Sequence, residues 1–253
     1  MLDTTHAKQV AHLKSTIAWA SRIRETLQPL LEKQGGTVHF RPSSRGISMV
    51  GLDLSRPQRG QSGISNLDRL VTEFDARYKR YCLPKEHGRA TAEKRLQSYL
   101  IAESYRHDRS MKPLNEALSA MERGKFTFVT DEIAITGKDG RIVCDILALR
   151  VKHDGSVTPV IMELKSSRDL KRLVQQVQDY SRVISTHSSL FQELFTALLG
   201  EKVVFSESPE KWIVWPASTQ APDRHASRLW KENRIRIIGY TGSTNYSFQV
   251  EPV

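Results

Sequence analysis

Cysteine is scarce in this chain and long apolar runs are missing. Two thiols, Cys82 and Cys144, in 253 residues exclude a disulfide-stapled scaffold and fit a reducing, cytoplasmic compartment. No stretch approaches the roughly 18 apolar residues of a membrane span, and the opening MLDTTHAKQVAHLKS holds no apolar leader core. Neither a membrane nor a secretory route is therefore expected. The eight histidines and two cysteines show no zinc-ligand spacing such as CxxC or HExxH. Walker loops, GxGxxG and the GxSxG elbow are also absent. Negative charge is the minority sign: 28 Asp and Glu against 38 Lys and Arg leave a formal charge of +10. That excess suits a polyanionic partner, most simply nucleic acid.

What is present argues for a folded α/β protein. Apolar residues, 39% of the chain, recur along its whole length, so disorder is excluded as the dominant state. Val10, Leu13, Ile17, Ala20, Leu27 and Leu31 repeat with helical period over 9–34, and Gly35-Gly36 would end that helix. The Gly/Ser/Arg/Pro-rich stretch 41–63 leaves room for two short strands. Its Arg41, Arg45, Arg56 and Arg59 would either contact phosphate or keep a loop solvated. A second amphipathic helix is expected over 66–81, and Pro84 with Gly88 marks a break. We therefore divide the chain into a mainly helical region, 1–88, carrying a basic loop, and an α/β domain, 89–253.

In the second region the pattern predicts helices over 91–106, after Pro113, over 168–186, near 188–199 and around 222–232. Strands are expected in FTFVTDEIAI, RIVCDILALRV, VTPVIMELK, KWIVWPA and RIRIIGYTG. The order αβββαβ, with an added helix and strand, predicts a central mixed β-sheet flanked by helices. Trp212, Trp215 and Trp230 read as core.

The most informative segment lies between Arg141 and Lys165. Both faces of its two strands are apolar, as in strands buried on two sides, yet Asp145, Glu163 and Lys165 interrupt them. A three-residue turn His153-Asp154-Gly155 would put Gly155 in the left-handed position and pair Lys152 with Ser156. Asp145 then falls opposite Glu163 on one face, with Val143 opposite Lys165. A two-residue Asp-Gly turn would split the carboxylates between faces; the first register is preferred because only it gathers the charges. Two carboxylates at a cross-strand spacing of about 5 Å repel unless a cation intervenes, and hard oxygen ligands favour Mg²⁺, with Mn²⁺ able to substitute. The competing structural reading is a buried ion pair of Lys165 with one acid, but three charges leave one unmatched.

Asp145 in CDILAL followed by Glu163-Leu164-Lys165 resembles the D…ExK signature of the PD-(D/E)XK nuclease superfamily. The likeness covers about residues 90–240 and departs from the pattern at Cys144, where a proline would precede the aspartate. It implies a restriction-endonuclease-like fold in which Asp145, Glu163 and the backbone carbonyl of Leu164 hold the metal while Lys165 serves the attacking water. Gln176 and Tyr180, at i and i+4 on one helix side, resemble the QxxxY motif of the RecB-like and lambda-exonuclease-like branch, in which they contact DNA; Gln175 and Gln178 offer alternative registers. The family's additional helix acid falls on Glu93, with Glu103 competing. Ser166 and Arg168 are the best-placed phosphate contacts among Lys94, Arg95, Ser166, Ser167, Arg168, Lys171 and Arg172. The resemblance thus implies a Mg²⁺-dependent phosphodiesterase acting on nucleic acid, DNA before RNA, leaving a 5′-phosphate. It also allows a homodimer, since many such nucleases dimerise to cut both strands. The alternative is a catalytically silent nuclease-fold module that binds nucleic acid or a protein partner.

Overall fold

The computed structural model describes every residue except 1, 35–36, 53–59, 83–90, 119–123, 138–139, 169–171, 219–223 and 252–253. The chain opens with α1 (Leu2–Arg22), which passes through a π-helical turn (Ile23–Leu27) into α2 (Gln28–Gln34). Three strands follow where two were expected: β1 (Val38–Ser43), β2 (Gly46–Gly51) and β3 (Gly60–Ile64) form an antiparallel sheet in that order. The helix expected over 66–81 is broken at Glu73 into α3 (Leu67–Thr72) and α4 (Phe74–Tyr81). Asn66 caps the first, its side-chain oxygen accepting from the Arg69 N–H. The expected helix stop at Gly35-Gly36, the break at Pro84 and Gly88, and Arg56, Arg59 and Lys171 lie outside the described residues.

The larger part is a mixed α/β structure. Helices α5 (Ala92–Arg106) and α6 (Lys112–Ala117) precede β4 (Lys125–Asp131), and β5 (Ala134–Gly137) pairs with β6 (Gly140–Val143) as a separate hairpin. Then come β7 (Ile146–Val151), β8 (Val157–Leu164), α7 (Leu173–Thr186), α8 (Ser188–Leu199), β9 (Glu210–Pro216), α9 (Arg224–Asn233), β10 (Ile235–Thr241) and β11 (Ser247–Val250), a strand the sequence pattern did not indicate. Six strands make one sheet in the order β11-β10-β9-β8-β7-β4. β8, β9 and β10 run parallel, and the other pairs are antiparallel.

Helices cover both sheet faces, which accounts for the apolar character of β7 and β8 on both sides. Leu147, Leu149, Ile161 and Ile213 pack with Val177 and Tyr180 of α7, Phe191 and Phe195 of α8, and Leu13 of α1. On the opposite face Ile146, Ala148, Met162 and Leu164 pack with Leu96 and Leu100 of α5 and Leu114 of α6. A third cluster joins the π-helical turn after α1, the β1–β3 sheet and α4 through residues such as Leu27, Phe40, Ile47 and Phe74. Trp212 and Trp215 are fully buried, whereas Trp230 is half-buried beneath the guanidinium groups of Arg234 and Arg236. Among the described residues no helix is long and apolar enough to cross a membrane.

Two expected long strands are each interrupted, and the interruptions form the site. The strand read over 126–135 leaves the main sheet at Glu132, whose φ of +48° turns the chain aside. The strand read over 141–151 breaks at Cys144-Asp145. Val143 consequently pairs with Ala134 rather than lying opposite Lys165, and Cys144 joins Leu147 on one face instead of alternating away from it.

Candidate active site

The β7–β8 turn sets the geometry. Gly155 has φ +79°, its N–H donates to the Lys152 carbonyl at 3.0 Å, and the Lys152 N–H donates to the Ser156 carbonyl at 2.9 Å. Ile146 pairs with Met162, Leu147 with Ile161 and Val151 with Val157. This is the three-residue-turn register, and it carries Asp145 to the position opposite Glu163. Because β7 begins only at Ile146, the Leu164 N–H has no ladder partner there and donates instead to Asp145 Oδ2 at 2.8 Å.

Lys165 reaches back over both acids, its Nζ 3.3 Å from Glu163 Oε2 and 3.7 Å from Asp145 Oδ2. Glu163 is 1% exposed and its Oε1 is buried without a hydrogen-bond partner. Burial, and then the neighbouring Asp145 charge, push the Glu163 carboxyl well above its ordinary range, with Lys165 opposing. Burial likewise raises Asp145, against the pull of Lys165 and the Leu164 N–H. For Lys165 burial acts downward, but the charges of Glu163, Asp145 and Glu93 outweigh it and the ammonium is held above its usual pKa.

Helix α5 brings Glu93 to the same edge. Its Oε1 accepts from the Ser166 N–H at 3.0 Å and the Ser166 hydroxyl at 3.3 Å. Glu103 lies further along the helix, paired with Arg106 and His107. Of the two competing acids, then, Glu93 stands beside the Glu163–Lys165 segment. Ser166 is exposed. Arg168 donates to the Pro216 carbonyl at 2.9 Å and lies over the Trp215 ring, 5.0 Å from its centroid.

Gln176 and Tyr180 point at main chain rather than at the acids. Gln176 Nε2 donates to the Val143 carbonyl at 3.0 Å, and the fully buried Tyr180 donates its hydroxyl to the Ile133 carbonyl at 2.8 Å. Both bonds fasten the β5–β6 hairpin to α7. Gln175 is engaged with Asp179 and Gln178 with Asn233, so Gln176 is the glutamine that faces the hairpin.

A polar network behind the acids has members that sequence reasoning did not assign to the site. Gln97, one turn after Glu93, donates to the Asp145 carbonyl at 2.8 Å and to Asp131 Oδ2 at 3.1 Å. Asp131, wholly buried, also accepts from both Arg41 Nε (2.8 Å) and Arg41 Nη2, and lies 2.8 Å from His39 Nε2. Burial alone would raise the Asp131 carboxyl, yet Arg41 and His39 hold it below the ordinary carboxylate range. Burial lowers His39; the neutral ring that results places its proton toward Asp131 and leaves Nδ1, 2.6 Å from the Tyr105 hydroxyl, to accept from it. Arg41 and Lys94 share Glu132. Arg41 is therefore neither a free phosphate contact nor a solvating loop residue. The one legible signal was Gln97, a polar side chain within the apolar stripe Leu96–Leu100.

No family model, curated protein or solved structure matches the chain.

Among the described residues no group of three or more His, Cys, Asp or Glu side chains is gathered as a metal-ligand cluster. A smaller oxygen set is present: two carboxylates in contact across a broken strand. The unpartnered, buried Glu163 Oε1 is a ligand atom that a hard divalent cation fits.

Proposed function

We propose that this protein is a metal-dependent nuclease with a restriction-endonuclease-like core, hydrolysing phosphodiester bonds of nucleic acid, DNA before RNA. The observation that carries this reading is the Asp145–Glu163 pair, two raised carboxylates facing each other under one ammonium with a buried oxygen unsatisfied. A buried pair of acids is a poor stabilising device, and perturbed groups of this kind concentrate where chemistry occurs. Asp145, Glu163 and the Leu164 carbonyl would hold Mg²⁺, or Mn²⁺ in its place. The ion, when bound, supplies an electrophile for the phosphoryl oxygens and lowers the pKa of water.

The chain's own groups have separable tasks. Lys165, kept protonated by its three acidic neighbours, orients the attacking water and offsets the charge that grows on phosphorus. The water oxygen bonds to phosphorus as the opposite P–O bond breaks, leaving a 5′-phosphate and a free 3′-hydroxyl. Glu93 fixes the Ser166 turn that follows Lys165. Ser166, exposed at the rim, turns its hydroxyl from Glu93 to a phosphate oxygen when substrate binds, and Arg168 acts as a nearby cation. Gln176 and Tyr180 position the β5–β6 wall beside the acids.

The test is digestion of linear, circular and single-stranded DNA with Mg²⁺, Mn²⁺ or EDTA. Cleavage that requires a divalent ion and is lost in Asp145→Ala and Lys165→Ala is expected. Cleavage in EDTA, or full activity in either variant, overturns the reading. The contact of Lys165 with both acids also suits a silent module, in which the ammonium replaces the metal. Binding without cleavage in every metal, unchanged by Asp145→Ala, would favour that alternative.

A further inference from the structure

On the other side of the Arg41–Glu132 layer lies a cleft of about 780 Å³, walled by α1, the β1–β2 turn and the β5–β6 hairpin. It shares Glu132 and Arg41 with the network behind Asp145: Lys94 donates to both Glu132 and Gln97, and Gln97 donates to the Asp145 carbonyl, so a chain of side-chain bonds links the cleft wall to the strand that carries Asp145. Its charges do not balance. Arg41 and Lys94 together match Asp131 and Glu132. Arg45 and Arg141, both exposed, remain in surplus; among the described residues neither makes an ion pair with a carboxylate. The half-buried His12 stands close enough that both guanidinium groups act on it. Burial lowers its pKa first, the Ala134 backbone opposes, and Arg141 and Arg45 lower it further. With the lining acid Glu132 already matched by Arg41 and Lys94, the surplus of like charge in a concave wall raises the local potential for an anion.

The lining also indicates what kind of anion. Ser48 and Ser62 present hydroxyls, and among the described residues no Phe, Tyr or Trp lines the space, the half-buried His12 imidazole being its one aromatic ring. A platform of large aromatic faces, the usual sequence-tolerant grip on unpaired strands, is thus not on offer, while phosphate and sugar contacts are. A space of about 780 Å³ falls within the ligand-sized range of roughly 300–1,000 Å³. It admits a short run of one strand and is too confined for a duplex.

We propose that this cleft holds the sugar–phosphate chain of single-stranded nucleic acid, with Arg45 and Arg141 as its phosphate contacts, delivering the strand toward the acid pair. The proposal rests on the nuclease reading for its purpose, but its binding test does not need cleavage.

The experiment uses the full chain in EDTA and follows the fluorescence anisotropy of labelled oligo(dT) and of an oligo(dA)–oligo(dT) duplex across a salt series. Replacing both residues, Arg45→Ala/Arg141→Ala, is expected to weaken oligo(dT) binding about tenfold and to flatten the log–log salt slope by about 1.4, two contacts at about 0.7 each for a single strand. Duplex binding should be unchanged. Arg45→Lys/Arg141→Lys should restore most of the loss, because the charge is kept. Removing two exposed cations on α9, Arg228→Ala/Lys231→Ala, should leave the slope unaltered. Unchanged oligo(dT) affinity in the double alanine variant overturns the cleft, as does an equal loss for duplex or no binding of either probe by the parent protein. If the parent binds through the cleft yet cuts nothing in Mg²⁺ or Mn²⁺, the nuclease reading fails and the cleft stands.

Discussion

Substituting Glu163 by glutamine should stabilise the metal-free protein while destroying its activity. The side chain is 1% exposed, with Oε1 unpartnered and Oε2 within 3.3 Å of the Lys165 ammonium. Glutamine keeps the volume and leaves an amide oxygen for Lys165. Its amide nitrogen becomes a donor beside Asp145, where a second carboxylate now stands. Burial and the Asp145 charge, taken against Lys165, leave the Glu163 pKa raised, so ionisation at neutral pH is a net cost to the fold. Relieving a buried, unsatisfied polar atom is worth about 1–3 kcal/mol, and each kcal/mol moves the midpoint about 2–4 °C for a chain of this size.

The sign follows from linkage. A carboxyl raised on folding binds more protons in the native state, so stability is full below the unfolded pKa and falls as pH rises through the folded one. The gain from Glu163→Gln should accordingly be near zero around the ordinary Glu value of 4.5 and widen toward neutrality. Thermal unfolding followed by circular dichroism in EDTA across that range measures it. Mg²⁺ should raise the midpoint of the parent at neutral pH and not that of the variant, because binding to the native state alone is stabilising. Cleavage should fall by more than about 100-fold, beyond the loss typical of a supporting residue. A variant that is less stable than the parent at neutral pH, or a difference that does not vary with pH, refutes the argument.

Asp131→Asn strips the counter-charge from a buried Arg41 and should cost about 3–5 kcal/mol in urea unfolding. Because Arg41 and His39 hold Asp131 low despite burial, that gap should be constant across the neutral range and close only as pH falls below the ordinary Asp value of 3.8. Tyr180→Phe retains the ring and loses the bond to the Ile133 carbonyl. Urea unfolding should show a loss of about 0.5–1.5 kcal/mol, with cleavage reduced far less than in Asp145→Ala. Gly155→Ala places a Cβ in open space but at φ +79°, so a purely conformational penalty of about 1–2 kcal/mol is expected, smaller for Gly155→Asn, as differential scanning calorimetry would show.

The register of the central hairpin was legible because turn chemistry and period-2 alternation are local: Gly155 selects the loop, and the loop fixes every pair from Lys152–Ser156 onward. The helices around it and the mixed sheet were legible for the same reason. The breaks at Glu132 and Cys144-Asp145 were not, because residues on both sides of each break are apolar and alternate as one strand would. The hairpin departs where Glu132, at positive φ, is held by Arg41 and Lys94, partners 91 and 38 residues away. His39 and Arg41 illustrate the same limit. In the sequence Arg41 opens a Gly/Ser/Arg stretch indistinguishable from a solvated loop and His39 stands just before it, and only the packing of β1 beside β4 turns them into the second layer behind Asp145. β11 escaped notice because Ser247–Val250 is a half-exposed edge of four residues, too short for alternation to register.

The bonds from Gln176 and Tyr180 end on carbonyl oxygens, at Val143 and Ile133, rather than on side chains. Every residue type supplies a carbonyl. The hairpin's outward-facing positions are therefore free to vary chemically while the strand they ride on stays where α7 fixes it. A randomised library at Thr136 and Arg141 would thus alter what the wall offers to a ligand without shifting the wall, a separation of scaffold from surface that makes this hairpin a suitable place to retune selectivity.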